Sequence, residues 1–101
     1  MDPEQISDIL VSDVVISTAG HDKGEWFYVV STEPDFLILA NGKDHPLDRP
    51  KRKKRKHVQK VLRPETRVAQ KLMRGDKVLN GELRRDLAFL AKDASDNLGG
   101  Y

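Results

Sequence analysis

The residues with the clearest chemical character form one basic run in the middle of the chain. Residues 49–56 hold seven cations in eight positions, and His57 follows them. Crowded like charges repel one another, and the phosphates of a polyanion relieve that repulsion while releasing their counterions. Lysines act there as flexible point charges, whereas arginines can bind two oxygens of one phosphate or stack on a base. The run therefore predicts nucleic-acid binding. A solvated or targeting segment and an acidic protein or lipid partner are the alternatives.

The second candidate is the turn from Gly20 to Gly24, which also contains His21, Asp22 and Lys23. It is too short for a phosphate-binding P-loop and lacks the Gly-Lys-Ser/Thr ending, so nucleotide hydrolysis is not indicated. Its backbone N–H groups, Lys23 and His21 could contact a phosphate. The alternative is a plain hairpin turn in which the glycines supply positive φ and the aspartate is ordinary turn chemistry.

Three consecutive aromatic residues, Trp26, Phe27 and Tyr28, form the third feature. On a strand, Phe27 faces away from the other two, so one aromatic face lies outside a small barrel. An exposed Trp26 or Tyr28 could stack on an unpaired base, as in readers of single-stranded RNA. The alternative is that these side chains fill the seam between the sheet and a docked helix.

Catalysis is not expected. The three histidines, His21, His45 and His57, lack the spacing of metal ligands, and the chain contains no cysteine. No serine has the surroundings of a nucleophile elbow. We therefore expect no enzymatic activity, no metal or other cofactor and no small-molecule substrate.

Short strands are expected to position these groups. β-Branched and aromatic runs predict strands near residues 13–18, 25–32 and 36–40, with 58–62 as a further candidate. Asn41-Gly42 is a strong hairpin signal. Four to five strands within about 50 residues favour a small, strongly bent sheet that closes into a barrel. The runs are apolar on both faces, as expected for a barrel that also packs against something outside.

Two helices should follow the strands, which makes the fold class α+β. Residues 65–73 have helical spacing, and Gly75 marks their end. The second helix begins near residues 80–82 and carries one apolar face, formed by Leu83, Leu87, Leu90 and Ala94. Neither helix is long enough to be stable alone, so each must dock on the barrel, on the other helix or on a partner.

Charge is distributed very unevenly along the chain. Residues 1–48 have a net charge of −8, residues 49–63 of +9 and residues 64–101 of +1. This asymmetry points to an anionic partner for the middle segment. No apolar stretch approaches the length of a membrane span, and the acidic N-terminus lacks a signal-peptide pattern, so we expect a cytoplasmic protein with no membrane partner.

These patterns divide the chain into an N-terminal segment (1–12), a barrel (13–62) that includes the basic segment (49–57), a helical extension (64–96) and a tail (97–101). The first residues fit a short helix capped by Asp2 as well as they fit a frayed terminus.

The barrel region resembles a KOW motif, in which a glycine-bearing loop joins two strands. The resemblance rests on residues 15–24 with 27–30, continues through 36–39 and 41–43, and ends at Pro50-Lys51-Arg52-Lys53-Lys54 and His57-Val58. It is similar to the KOW-class large-subunit ribosomal proteins six, fourteen and twenty-seven of archaea and eukaryotes. It is closer to short bacterial KOW-domain, ribosomal-protein-like proteins, whose C-terminal extension the helical half also resembles.

The resemblance covers about half the chain and implies an SH3-like barrel that binds RNA, in particular ribosomal RNA, with ribosomal proteins as further partners. The ribosomal relatives often carry Arg at the position of His21. The implied loop-forming residues are Gly20, Asp22 and Gly24, and Trp26 and Tyr28 are candidates for base stacking. The candidate RNA-binding residues are His21, Lys23, Lys43, Arg49, Lys51, Arg52, Lys53, Lys54, Arg55, Lys56 and His57.

A protein-interaction adaptor that uses the barrel and the helix at 82–94 is the alternative function. DNA binding is disfavoured, because no recognition helix or cation-rich helical face is evident.

Overall fold

The computed structural model describes residues 9–98, so the first residues, for which a short helix and a frayed terminus were both open, and residues 99–101 of the expected tail lie outside the described residues. Residues 97–98 of that tail belong instead to the last helix. The elements in chain order are β1 (Val14–Ser17), β2 (Trp26–Thr32), β3 (Phe36–Ala40), β4 (Lys51–Lys54), a 3-10 helix (Arg55–His57), β5 (Val58–Leu62), α1 (Arg67–Arg74) and α2 (Asn80–Leu98). The α+β class expected from the sequence is confirmed, with five strands and two helices.

All strand pairs are antiparallel, in the order β4-β3-β2-β1-β5. The expected closure into a barrel is not found, since β4 and β5 remain the two edges of an open sheet. Only the three residues of the 3-10 helix join these opposite edges. The edges must therefore converge at that end, and the sheet is strongly bent. The backbone N–H of Thr18, after β1, donates to the carbonyl of His57 at 2.9 Å and fixes the 3-10 helix beside the β1–β2 loop.

Each face of the sheet has its own apolar cluster, in line with the apolar character of both faces in the sequence. The inner cluster contains Ile9, Val15, Phe27, Val29, Leu37 and Leu39. The outer cluster joins Val14, Tyr28 and Ala40 of the sheet to Val68, Ala69, Leu83, Leu87 and Leu90 of the helices. Burying one leucine side chain contributes about 1.5–3 kcal/mol. Docking therefore supplies the stability that α1, with eight residues, lacks alone, and it adds to the stability of the longer α2.

A polar contact accompanies this docking. Tyr28 and Thr66 both donate hydroxyl hydrogen bonds to the carboxylate of Asp86 on α2, the second at 2.8 Å. Thr66 is also the N-cap of α1, where its side chain accepts from the backbone N–H of Ala69. Burial and the bond to Asp86 raise the pKa of Tyr28 well above its usual range. One carboxylate thus ties α2, the start of α1 and the centre of β2 together.

The ends of the helices follow local signals. Helix α1 ends at Gly75, which has the left-handed conformation (φ 76°) and donates its N–H to the carbonyl of Leu72. The expected stop at this glycine is therefore confirmed.

Asn41-Gly42 forms a turn, but the link to β4 runs over residues 41–50 rather than through a tight hairpin. The reason is tertiary, because this loop packs on the start of α2. Gly42 has φ 75°, and a Cβ there would lie 2.3 Å from the carbonyl oxygen of Asn80. Arg84 donates to the Gly42 carbonyl at 2.9 Å, and the side chain of Asn80 accepts from the backbone N–H of Leu47 at 2.8 Å.

This close approach predicts a large cost for Gly42→Ala. Positive φ costs an alanine about 1–2 kcal/mol, and the clash with backbone adds about 1–3 kcal/mol. Gly75→Ala is the matched control, because Gly75 has a similar φ of 76° with nothing within 4 Å of the added Cβ. Urea unfolding should show the larger loss for Gly42→Ala, and equal losses would contradict the contact with α2.

Candidate nucleic-acid interface

The basic segment (residues 49–57) is not a loop. It forms β4 and the 3-10 helix, and β5 begins immediately after it. Lys51 and Lys53 lie opposite Leu39 and Leu37 of β3, whereas Arg52 and Lys54 lie opposite Ile38 and Phe36. Successive side chains of a strand point to opposite faces. The run is therefore divided into an inward pair and an outward pair.

The inward lysines are bound inside the protein. Lys53 is only 8% exposed and donates to Asp22 Oδ1 at 2.8 Å and to the carbonyl of Ala19 at 2.8 Å. The Nζ of Lys51 lies 2.7 Å from Asp22 Oδ2. Ser17 at the end of β1 donates its hydroxyl to Asp22 Oδ1 at 2.7 Å. We refer to Ser17, Asp22, Lys51 and Lys53 as the Asp22 cluster.

Asp22 itself is 4% exposed. Burial alone raises the pKa of a carboxyl, but the interactions with Lys51, Lys53 and Ser17 outweigh it and hold the pKa of Asp22 well below its usual range. The carboxylate is therefore charged at neutral pH and is the shared counter-ion of the two inward lysines, of whose two positive charges it offsets one. Lys51 and Lys53, expected from the sequence to contact RNA, instead hold the β1–β2 loop against β4.

The outward side is different. Arg52 pairs with Glu33 at 2.9 Å, and its guanidinium lies 3.6 Å from the centroid of the Phe36 ring. This ion pair is exposed, so it contributes little and a phosphate can compete for the arginine. Lys54 and Lys56 are exposed, and neither side chain has a hydrogen bond or ion pair within residues 9–98. Arg49, just before β4, is exposed as well.

Arg55 and His57 contribute mainly through local contacts. Arg55 donates its Nε–H to the carbonyl of Glu33 at 3.0 Å, and its backbone N–H donates to the carbonyl of Asp35. His57 is half-buried, and its carbonyl holds the N–H of Thr18. Both residues thereby fix the 3-10 helix between the β1–β2 and β2–β3 loops.

The glycine turn has an ordered architecture. Gly20 and Gly24 have φ of 88° and 92°, and the N–H of Gly24 donates to the carbonyl of Ser17 at 2.8 Å. His21 and Lys23 are exposed, while Asp22 between them points into the protein. The Asp22 cluster therefore brings the turn and β4 together. Lys43 is exposed on the separate loop that packs on α2.

Base stacking by Tyr28 is excluded by its position. The ring is completely buried beneath the helices, and its hydroxyl is bonded to Asp86. Trp26 is half-buried and packs against the same outer cluster. Both residues fill the contact between the sheet and the helices, which was the alternative interpretation of these aromatics.

An aromatic residue that the sequence did not single out lies among the outward cations. Phe36, at the start of β3, lines a cleft of about 890 Å³ together with Lys54 and Lys56. Ile9 and Val58 supply further apolar walls, and the remaining lining residues are Pro34, Asp35, Arg55, Gln59 and Lys60. The cleft lies where the two edges of the sheet converge. The sequence carries no signal for this role, because the pairing of Phe36 with the basic run is visible only in the fold.

Comparison with known protein families gives no match for the chain, and neither does a search of curated proteins. Within the described residues, no helix has the length and apolar character needed to cross a membrane. No group of three or more histidine, aspartate or glutamate side chains in residues 9–98 is arranged to hold a metal ion.

The Asp22 cluster makes a prediction about stability. Asp22→Asn leaves a buried lysine without its counter-charge, which should cost about 2–4 kcal/mol once the partial exposure of Lys51 is allowed for. The folded pKa of Asp22 lies below its unfolded value. Its contribution is therefore complete above about pH 4 and is lost as the pH falls from there towards the lowered pKa.

Urea unfolding of the wild type and Asp22→Asn between about pH 7 and pH 3 tests this. The difference between the two proteins should shrink below about pH 4. Glu33→Gln, which breaks only the exposed pair with Arg52, should cost at most about 1 kcal/mol. A pH-independent difference for Asp22→Asn would show that the carboxylate is not held in its charged form.

Proposed function

We propose that this protein is a non-enzymatic RNA-binding module of the KOW type that binds ribosomal RNA. The observation that carries the proposal is the pair Lys54 and Lys56. Both are exposed, and neither has an acidic partner within residues 9–98; Lys54 ends the edge strand β4, and Lys56 lies in the 3-10 helix that follows it. Cations held on a rigid element without counter-charges are suited to phosphates.

The strand arrangement supports the KOW, SH3-like assignment. The last strand returns beside the first, and a 3-10 helix joins the two edges of a bent five-stranded sheet. The glycine turn lies between β1 and β2, where a KOW motif has its loop. Its Lys23 and His21 are exposed beside the basic strand to which Asp22 attaches the turn.

The number of available cations sets the expected salt dependence. With Lys51 and Lys53 occupied by Asp22, the exposed cations on or next to β4 and the glycine turn are Lys23, Arg49, Arg52, Lys54 and Lys56. If about five phosphates are neutralised, the slope of log affinity against log salt is about −4 to −5 on duplex RNA. Such contacts position a protein without reading sequence, so we expect weak sequence preference.

The adaptor alternative would need a different helix face from the one expected. Leu83, Leu87 and Leu90, which were expected to bind a partner, are buried against the sheet. Phe89 on the same helix is 60% exposed, but it does not belong to that face.

The proposal predicts that the two exposed lysines contribute to RNA affinity and contribute little to stability. Lys54→Gln/Lys56→Gln should leave the unfolding free energy nearly unchanged, because neither side chain has a polar partner in the described part of the chain. It should lower affinity for ribosomal RNA fragments and make the salt slope shallower by about 1.8. Fluorescence anisotropy from about 50 to about 300 mM potassium chloride measures both quantities.

Lys77→Gln/Arg67→Gln is the matched control, because both residues are exposed cations on the helical part of the chain. It removes the same charge and should change affinity much less. Equal effects of the two double variants would indicate net-charge attraction rather than a site. A wild-type affinity that does not respond to salt would refute phosphate binding.

A further inference from the structure

The cleft at the converging edges combines features that phosphate binding alone does not need. A duplex backbone requires an exposed row of cations, whereas Lys54 and Lys56 here line a concave space with an aromatic ring and aliphatic walls. Its volume of about 890 Å³ falls within the range typical of sites for small organic groups. The apolar contribution comes from Phe36, Ile9 and Val58, residues from three separate parts of the chain.

Phe36 is held in place from one side. The Arg52 guanidinium lies 3.6 Å from the centroid of the ring, and Arg52 is in turn bonded through Nε to Glu33 Oε1 at 3.0 Å. The ring is half-buried and also forms part of the cleft wall. An aromatic ring fixed in this way loses little entropy when a flat group stacks against it.

The cleft therefore offers an apolar surface for a flat ring next to two ammonium groups. We propose that it takes one unpaired nucleotide of a bound RNA strand, with the base against Phe36 and the flanking phosphates on Lys54 and Lys56. This inference rests on the proposed function and makes it narrower, because it assigns single-stranded RNA, or an unpaired residue in folded RNA, as the preferred ligand. A paired base is already stacked and cannot enter the cleft without leaving its helix.

The test compares a single-stranded RNA of about 12 nucleotides with a blunt duplex of the same sequence, by anisotropy at fixed salt. Phe36→Leu keeps an apolar side chain without a ring, and Phe36→Tyr keeps the ring. Loss of stacking should weaken binding of the single strand by roughly 10-fold in Phe36→Leu, with less than about 2-fold loss on the duplex. Phe36→Tyr should retain both affinities.

A 2-aminopurine placed in the single strand reports stacking directly. Its fluorescence should be altered on binding the wild type and Phe36→Tyr, and much less on binding Phe36→Leu. If Phe36→Leu fails to fold, the wild type itself keeps the inference testable, because it should bind the single strand more tightly than the duplex and should alter the fluorescence of the 2-aminopurine. Adenosine monophosphate as competitor identifies the source of the nucleotide, and it should compete only at concentrations far above the Kd of the strand.

The outcomes separate this inference from the proposed function. Equal binding of single strand and duplex, with no effect of Phe36→Leu, overturns the nucleotide cleft and leaves phosphate binding intact. If adenosine monophosphate displaces the strand at a concentration close to the Kd of the strand, the ligand of the cleft is a free nucleotide and the assignment to RNA strands is overturned. Failure of the wild type to bind either RNA overturns the proposed function as well.

Discussion

Asp22 is a carboxylate at the tip of a surface turn, yet it is 4% exposed and lies between two lysines of an edge strand. A charge so buried is tolerated only when it is paired and hydrogen-bonded, and Ser17, Lys51 and Lys53 meet both conditions. The contact joins the β1–β2 loop to β4, which is not the neighbour of either strand in the sheet. It therefore supports the bend of the sheet, gives the two inward lysines of the basic strand a shared counter-ion, and fixes the direction in which the outward side chains point.

The strong charge asymmetry of the sequence also serves pairing within the molecule. The acidic first half supplies partners for cations of residues 49–63 inside the same molecule: Asp22 for two lysines, Glu33 for Arg52, and the buried Asp13 for Arg63 through a two-pronged contact at 2.7 and 3.1 Å. These pairs join parts of the chain that are distant in sequence. What remains for an external anion is the outward set of cations, which is smaller than the basic run but has a defined geometry.

The sequence predicts those elements whose causes are local and fails where the cause is a tertiary contact. Strands β2 and β3 and the end of α1 at Gly75 were predictable, because β-branched runs and a left-handed glycine act locally. Strand β4 was not, since four consecutive cations have low strand propensity and pair with β3 only because tertiary contacts with Asp22 and Glu33 offset their repulsion. Tyr28 illustrates another limit. Alternation showed that it faces away from Phe27, but only the docked helices decide which of two apolar faces is covered. The sequence does not identify Phe36 as a site residue, because its place in the cleft wall depends on β4 lying beside it.

A basic edge strand also has a purely structural explanation, because lysines on an edge discourage pairing with another sheet. One or two outward charges are enough for that purpose, and Arg52 and Lys54 already provide them on β4. The basic segment continues beyond the strand into the 3-10 helix, where no ladder edge needs protection, and Lys56 stands there exposed beside the cleft. Each added like charge next to the others costs stability by repulsion. Protection of the edge accounts for the lysine within β4 but not for the one after it, whereas the proposed binding of phosphate at the cleft would account for both.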